Sequence, residues 1–281
     1  MSFWSKVLNI VKDTPRAIIT APNAIISLPV DLAKRAYYKV TDQMNMDIVK
    51  DGILLSGVKD LKSGDILLKQ GAYDATSYVI MGGQSILNTS GHRYQNAGLL
   101  GHAAIYVGDY SYNSKTKNKS ISGDVIESVG EGVMLSSLAG EHNKKYSWYV
   151  IRCNDASIAE KICKYAKDTL ECVKYEAFAA LWSGISSNRG ISSFLDFRED
   201  ETARIKKLVD DYHKNNKTGY VAAMFCSELV AYCLNCACDE AKRDRYFGKG
   251  RQDLITPEDV YVTLRDSDEW TYKGELKKHV R

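Results

Sequence analysis

Four of the chain's seven cysteines fall within thirteen residues, in "MFCSELVAYCLNCACDE". Cys233, Cys236 and Cys238 spell C-x-x-C-x-C, a spacing that invites a metal reading. Zinc sites draw on two such pairs, or on one pair plus a histidine pair. No second C-x-x-C exists, and Cys153, Cys163 and Cys172 have no near partner at ligand spacing. On a helix, Cys226, Cys233 and Cys236 fall near one face with Leu229 and Val230. Cysteine commonly behaves there as a small buried hydrophobe, so Cys233, Cys236 and Cys238 are read as core thiols.

Cys226 differs by position. It stands between the apolar lead-in "YVAAMF" and a helix, where unpaired N–H groups and the dipole stabilise a thiolate. The same N–H groups would receive the negative oxygen of a tetrahedral intermediate. Such a thiol needs a base. His102 opens the short strand "HAAIYVG", which places its ring at a sheet edge. A hydrogen-bonded core histidine is the competing reading. His92 in "SGHRYQ" is a loop rival, while His142, His213 and His279 lie in charged surroundings. A histidine base works best when an acceptor holds its second nitrogen. Alternation in "DVIESVG" puts Glu127 between Val125 and Val129 on one face, where a carboxylate is costly unless paired. Glu127 is therefore the expected partner of His102, with Asp124 as the alternative acid.

The elements that must position these groups follow from periodicity. "LKSGDILLKQ" reads as a turn entering a strand near Asp65–Lys69. "HAAIYVGD", "DVIESVG" and "YSWYVIRC" read as further strands, with "YSYNSKTKNKSISG" as a polar hairpin loop, and their close spacing predicts an antiparallel sheet. "TSYVIMGGQSIL" reads as a helix broken by Gly82 and Gly83. After Asn154 the pattern turns helical: "DASIAEKICKYAKDTL" puts Ile158, Ile162, Tyr165 and Ala166 on one face. "YEAFAALW" is a shorter helix. In "LITPEDVYVTL", Thr256 is the expected N-cap and Pro257 the first helical residue. The fold class expected is α+β, an antiparallel sheet packed against a cysteine-bearing helix.

Residues 1–52 read as an N-terminal helical arm, with Phe3, Trp4, Val7, Leu8 and Val11 at helical spacing and Pro15, Pro22 and Pro29 as punctuation. A packing arm is one reading and a membrane-surface anchor the other. Residues 53–281 form the main domain. Within it, the polar stretch 183–219 reads as a partly helical insertion, a candidate lid. The 281 residues, 44% hydrophobic, suffice for a real core. The charge balance, 38 basic against 35 acidic residues, gives no electrostatic reason to expect nucleic acid. No apolar run is long enough for a spanning helix. The start does not read as a signal peptide, so synthesis and folding in a cytoplasm are expected, with export, if any, by a dedicated secretion machine.

Taken in order, "LKSGDILL", "GHAAIYVG", "VIESVGEGVMLSSL", "VKYEAF", "FCSELVAYCL" and "ITPEDV" resemble the circularly permuted NlpC/P60 proteins, papain-like cysteine hydrolases, and most of all their YiiX-like branch. The histidine strand precedes the cysteine helix, the reverse of the unpermuted enzymes. The resemblance spans roughly residues 58–265. It implies Cys226 as nucleophile, His102 as general base, Glu127 as the residue orienting the imidazole, and Tyr175 near the substrate, with Glu176 standing where the family has aspartate. It implies hydrolysis of amide bonds, typically in peptidoglycan peptides, with no metal or organic cofactor. For an exported antibacterial effector it adds an immunity protein as partner. The same permuted fold serves lecithin:retinol acyltransferase-like lipid enzymes, whose histidine strand is similar but whose cysteine motif differs. A non-catalytic binding module is the third reading.

Overall fold

The computed structural model describes residues 54–70, 100–140, 143–175, 201–239, 241–242, 246–247 and 255–276. The N-terminal arm, the "TSYVIMGGQSIL" helix, residues 176–182 of the expected "YEAFAALW" helix and residues 183–200 of the expected insertion lie outside these, as do His92, His142, Glu176 and His279, while Tyr175, expected at that helix's start, ends a short strand instead.

The described residues form a mixed α+β structure around a six-stranded antiparallel sheet. Its strands are β1 (Ile66–Gln70), β2 (Leu100–Ser114), β3 (Lys119–Val129), β4 (Gly132–Ser136), β5 (Trp148–Cys153) and β8 (Trp270–Leu276), in the order β4-β3-β2-β1-β5-β8. A separate parallel pair joins β6 (Val173–Tyr175) to β7 (Ala222–Met224). Four helices accompany them: α1 (Ala156–Asp168), α2 (Glu201–Lys214), α3 (Cys226–Ala237) and α4 (Pro257–Arg265).

β1 begins where the "KSGD" turn ends. The Asp65 carboxylate accepts the Lys62 N–H at 2.8 Å, and Gly64 takes φ +91°. A Cβ at Gly64 would also lie 2.6 Å from that of Ala159, so only glycine lets α1 approach here. The strands alternate as the pleat requires. One face carries Ile66, Leu68, Ala103, Ile105, Ile126, Tyr149 and Ile151, which join residues of all four helices in the main core. The other carries Leu67, Ala104, Tyr106, Val125, Trp148 and Val150 in a smaller cluster with Leu61, Leu138 and Leu276.

The stretch expected as a hairpin loop is mostly strand. β2 runs on to Ser114 and β3 starts at Lys119, leaving a four-residue turn. Tyr110, Tyr112 and Ile121 pack on the core from this extension, and their alternation with polar residues is a half-buried ladder rather than a loop. β4 and β8 were not expected as strands. They complete the sheet edges by pairing with β3 and β5.

The helices start where their caps dictate. The Asp155 carboxylate accepts Ser157 and Ile158 N–H groups at the head of α1. Thr256 and Asp259 cap α4 reciprocally, at 3.0 and 2.9 Å, with Pro257 in its first turn. α3 is apolar nearly all round, and all but one of its residues are buried, as befits a helix enclosed by other elements. α2 buries Ile205, Val209 and Tyr212 in the main core, and its Thr202 accepts a hydrogen bond from Asn235 of α3. This part of the expected insertion is thus a core-packed helix.

Candidate active site

Cys226 is the first residue of α3, following Phe225, which is extended at the N-cap. The chain reaches it through β7, and two side chains pin that approach. Ser128 of β3 donates to the Met224 carbonyl at 2.7 Å, and Ser227 donates to the Ile255 carbonyl at 2.8 Å. Glu228, fully buried in the first turn, accepts the Phe225 N–H at 3.4 Å. It serves the helix start.

His102 lies near the start of β2, 2% exposed, and meets this helix end. Its ring is hydrogen bonded to the Cys226 thiol. Its Nε2 lies 2.7 Å from Glu127 Oε2, so Nδ1 is the nitrogen left for sulfur. Glu127 sits on β3 opposite Ala104 of β2. Its other oxygen, Oε1, accepts Ser136 Oγ–H and, at 3.1 Å, Asn143 Nδ2–H. The three residues expected from the sequence to cooperate are therefore in contact, two from the sheet and one from the helix.

The electrostatics follow from these contacts. Burial alone would raise the Cys226 thiol, but the imidazolium charge, its hydrogen bond and the backbone N–H groups of Ala103 and Ser227 hold it below the usual thiol range. Burial likewise works against a charged His102. The neighbouring thiolate and the Glu127 hydrogen bond outweigh it and raise His102, against an opposing pull from Lys69. Glu127, despite burial, is pushed down to about 2 by His102, Lys69 and Ser136. The shifts of Cys226 and His102 thus run toward each other, each driven by the other's charge, while Glu127 stays ionised.

The remaining cysteines contrast with this. Burial pushes Cys163 and Cys238 up to about 11 and Cys172 up to about 12, and it raises Cys153 and Cys233 as well. Cys233 is a core residue, while Cys236 and Cys238 are partly buried against the core. Among the described residues no cluster of three or more His, Cys, Asp or Glu is arranged to hold a metal ion. All seven cysteines are free thiols.

Tyr175, at the end of β6, packs against Phe225 and Cys226, because β6 pairs with β7 in the register Tyr175↔Met224. Asp124, the alternative acid, is spoken for elsewhere: its carboxylate accepts the Leu138 N–H at 2.8 Å. His213 meets the Asp168 carbonyl at 2.7 Å, away from the thiol.

Three neighbours escaped the sequence reading. Ser136 and Asn143, which donate to Glu127, lie on β4 and in a short 3-10 turn (Asn143–Lys145) that had not been recognised as elements. The third is Lys69, fully buried on β1. Its signal was present, since a lysine follows an apolar run in the strand, on the same face as Leu67. A cleft of about 790 Å³ beside α1 shares no residue with this site. Its cations include Arg152, paired with Asp65 at 2.6 Å, and Lys164, paired with Asp168 at 2.7 Å.

Among the described residues no helix is long and apolar enough to cross a membrane. No protein-family model matches the chain, and a search of curated proteins finds no match either.

Proposed function

We propose that the chain is a cysteine hydrolase working by acyl transfer, with a permuted papain-like arrangement of its catalytic groups. The observation that carries this reading is the thiol at the first residue of α3, bonded to an imidazole whose Nε2 is held by a buried carboxylate. Cys226 attacks a carbonyl carbon as its thiolate. The developing oxyanion is received by N–H groups of the first helical turn, among them that of Cys226. His102 then gives its proton to the leaving group, and water, deprotonated by the same ring, resolves the thioester. Glu127 keeps the ring oriented and favours its protonated form. Tyr175 lines the approach to the sulfur as a substrate contact.

For the substrate, the motif resemblance to permuted NlpC/P60 proteins supports an amide bond in peptidoglycan peptides. An antibacterial role outside the producing cell, with an immunity protein as partner, would accompany that choice.

Wild type and Cys226→Ala, incubated with purified peptidoglycan and separately with phospholipid vesicles, decide the matter by mass spectrometry of the products. Muropeptide cleavage that disappears in the variant supports the proposal. Fatty-acid release or acyl transfer that disappears would assign the same thiol to lipid chemistry. No product from either, with Cys226 no more reactive than an ordinary thiol, would overturn the hydrolase reading.

A further inference from the structure

We propose that Lys69 is a positioning residue of the Cys226 site: a cation locked into the sheet in the same row as His102, between the Trp148 and Tyr146 rings, that balances the buried Glu127 carboxylate. The proposal deepens the cysteine-hydrolase reading and rests on it.

Register puts Lys69 there. On β1 it stands opposite His102 of β2 on one side and Trp148 of β5 on the other. Adjacent residues in register point to the same face, so Lys69, His102 and Trp148 form one row, with Glu127 further along the sheet on β3. Lys69 is fully buried. Its Nζ lies 4.6 Å from the centre of the Tyr146 ring and 4.9 Å from that of Trp148. The Trp148 ring meets the His102 ring edge-on, with centroids 6.0 Å apart. Two aromatic faces thus hold the ammonium beside the catalytic pair.

Taking an ammonium out of water costs several kcal/mol. At this point of the sheet a methionine would fill the same space without that cost. What the lysine adds is charge. Its charge is felt by His102 and by Glu127, and the Tyr146 ring lies against it. Acting on these, the cation lowers both Glu127 and His102. The consequence is chemical. Glu127 and the thiolate together would hold the imidazolium proton too tightly for ready delivery to a leaving group. Lys69 opposes both while keeping Glu127 ionised.

The test reads His102 directly. Its imidazole is titrated by NMR, with His102→Gln assigning the signal, in wild type, Lys69→Met and Lys69→Arg. Loss of the cation in Lys69→Met is expected to raise the His102 midpoint by about one to two pH units. Lys69→Arg, which keeps the charge, should leave it near the wild-type value. A folded Lys69→Met protein with an unmoved midpoint overturns the proposal. Should that variant fail to fold, the Nζ resonance of Lys69 in wild type decides. A charged ammonium through the pH range of the His102 titration is required, and a neutral amine there overturns the proposal. Alkylation of wild-type Cys226 by iodoacetamide, run alongside, separates the two ideas. A rate no faster than that of an ordinary thiol would end the hydrolase reading, while the histidine titration would still decide the role of Lys69.

Discussion

His102 Nε2 lies 2.7 Å from Glu127 Oε2, with both side chains almost completely buried. This one contact settles the division of labour on the ring. Nε2 is committed to a carboxylate, which leaves Nδ1 for the hydrogen bond with the Cys226 thiol. The carboxylate is itself held from its other oxygen by Ser136 and Asn143, so the ring cannot swing without breaking a network. Such orientation is what a general base needs.

Cys226 should be the thiol that reacts first. It is held below the usual thiol range, whereas burial raises Cys153, Cys163, Cys172, Cys233 and Cys238. Iodoacetamide at pH 7 is expected to label Cys226 at least ~10-fold faster than the others, as read by peptide mapping. A depressed thiol keeps its thiolate below the usual thiol range and loses it only as pH falls through the folded value. His102→Gln should move that midpoint upward and slow labelling at pH 7.

Replacing Glu127 by Gln should reduce turnover on the order of 10²-fold with the fold retained. The amide still occupies the space but no longer stabilises the imidazolium. Steady-state rates across pH check this, and a variant as fast as wild type would remove Glu127 from the mechanism.

Acid stability should carry the mark of the same residue. Glu127 is depressed to about 2 from an ordinary 4.5. Its contribution is therefore fully present above pH 4.5 and is lost as pH falls from there toward 2. The size is on the order of 3 kcal/mol. Urea unfolding at stepped pH should show this limb in wild type and a flatter one in Glu127→Gln. His102, raised by its partners, acts in the opposite sense, its contribution fading as pH climbs through the folded value.

Asn143→Ala removes one donor to Glu127 and one to the Ser137 carbonyl, at 3.1 and 3.2 Å. A loss of about 1–2 kcal/mol is expected from chemical denaturation, with the Glu127 titration moving upward. An unchanged midpoint by NMR would show that the Asn143 bond does not hold the carboxylate.

Gly123 lets β3 and β4 close on one another. A Cβ there would lie 2.2 Å from the Ser136 carbonyl oxygen, so Gly123→Ala must push the β4 backbone away. Because Ser136 also donates to Glu127, the substitution should lower both melting temperature and turnover, by about 1–3 kcal/mol in stability. A variant that melts like wild type would show that β4 yields freely.

How much of this could be read from the chain alone differs by element. Local rules found the starts of α1, α3 and α4, because caps and first-turn residues act within a few positions: Asp155, Thr256 and Pro257 occupy the places expected of them. Alternation likewise put Glu127 on a face with Val125. The same local rules misread residues 110–123. Polar residues there face solvent while Tyr110, Tyr112 and Ile121 pack inward, and short windows of that pattern look like loop. β4 and β8 were missed because their stability comes from pairing with β3 and β5, partners that no local window contains.

The candidate site divides along the same line. Residue types and local position singled out the thiol at a helix start, an imidazole at a strand start and a carboxylate on an inward face, since propensity and alternation are properties of the chain itself. Which nitrogen of His102 meets Glu127, which side chains hold that carboxylate, and that Lys69 is buried against Trp148 and Tyr146 were decided only by tertiary structure. Those facts depend on the register between strands and on the angle at which α3 meets the sheet. Both are set by burial of surfaces contributed from distant parts of the polypeptide.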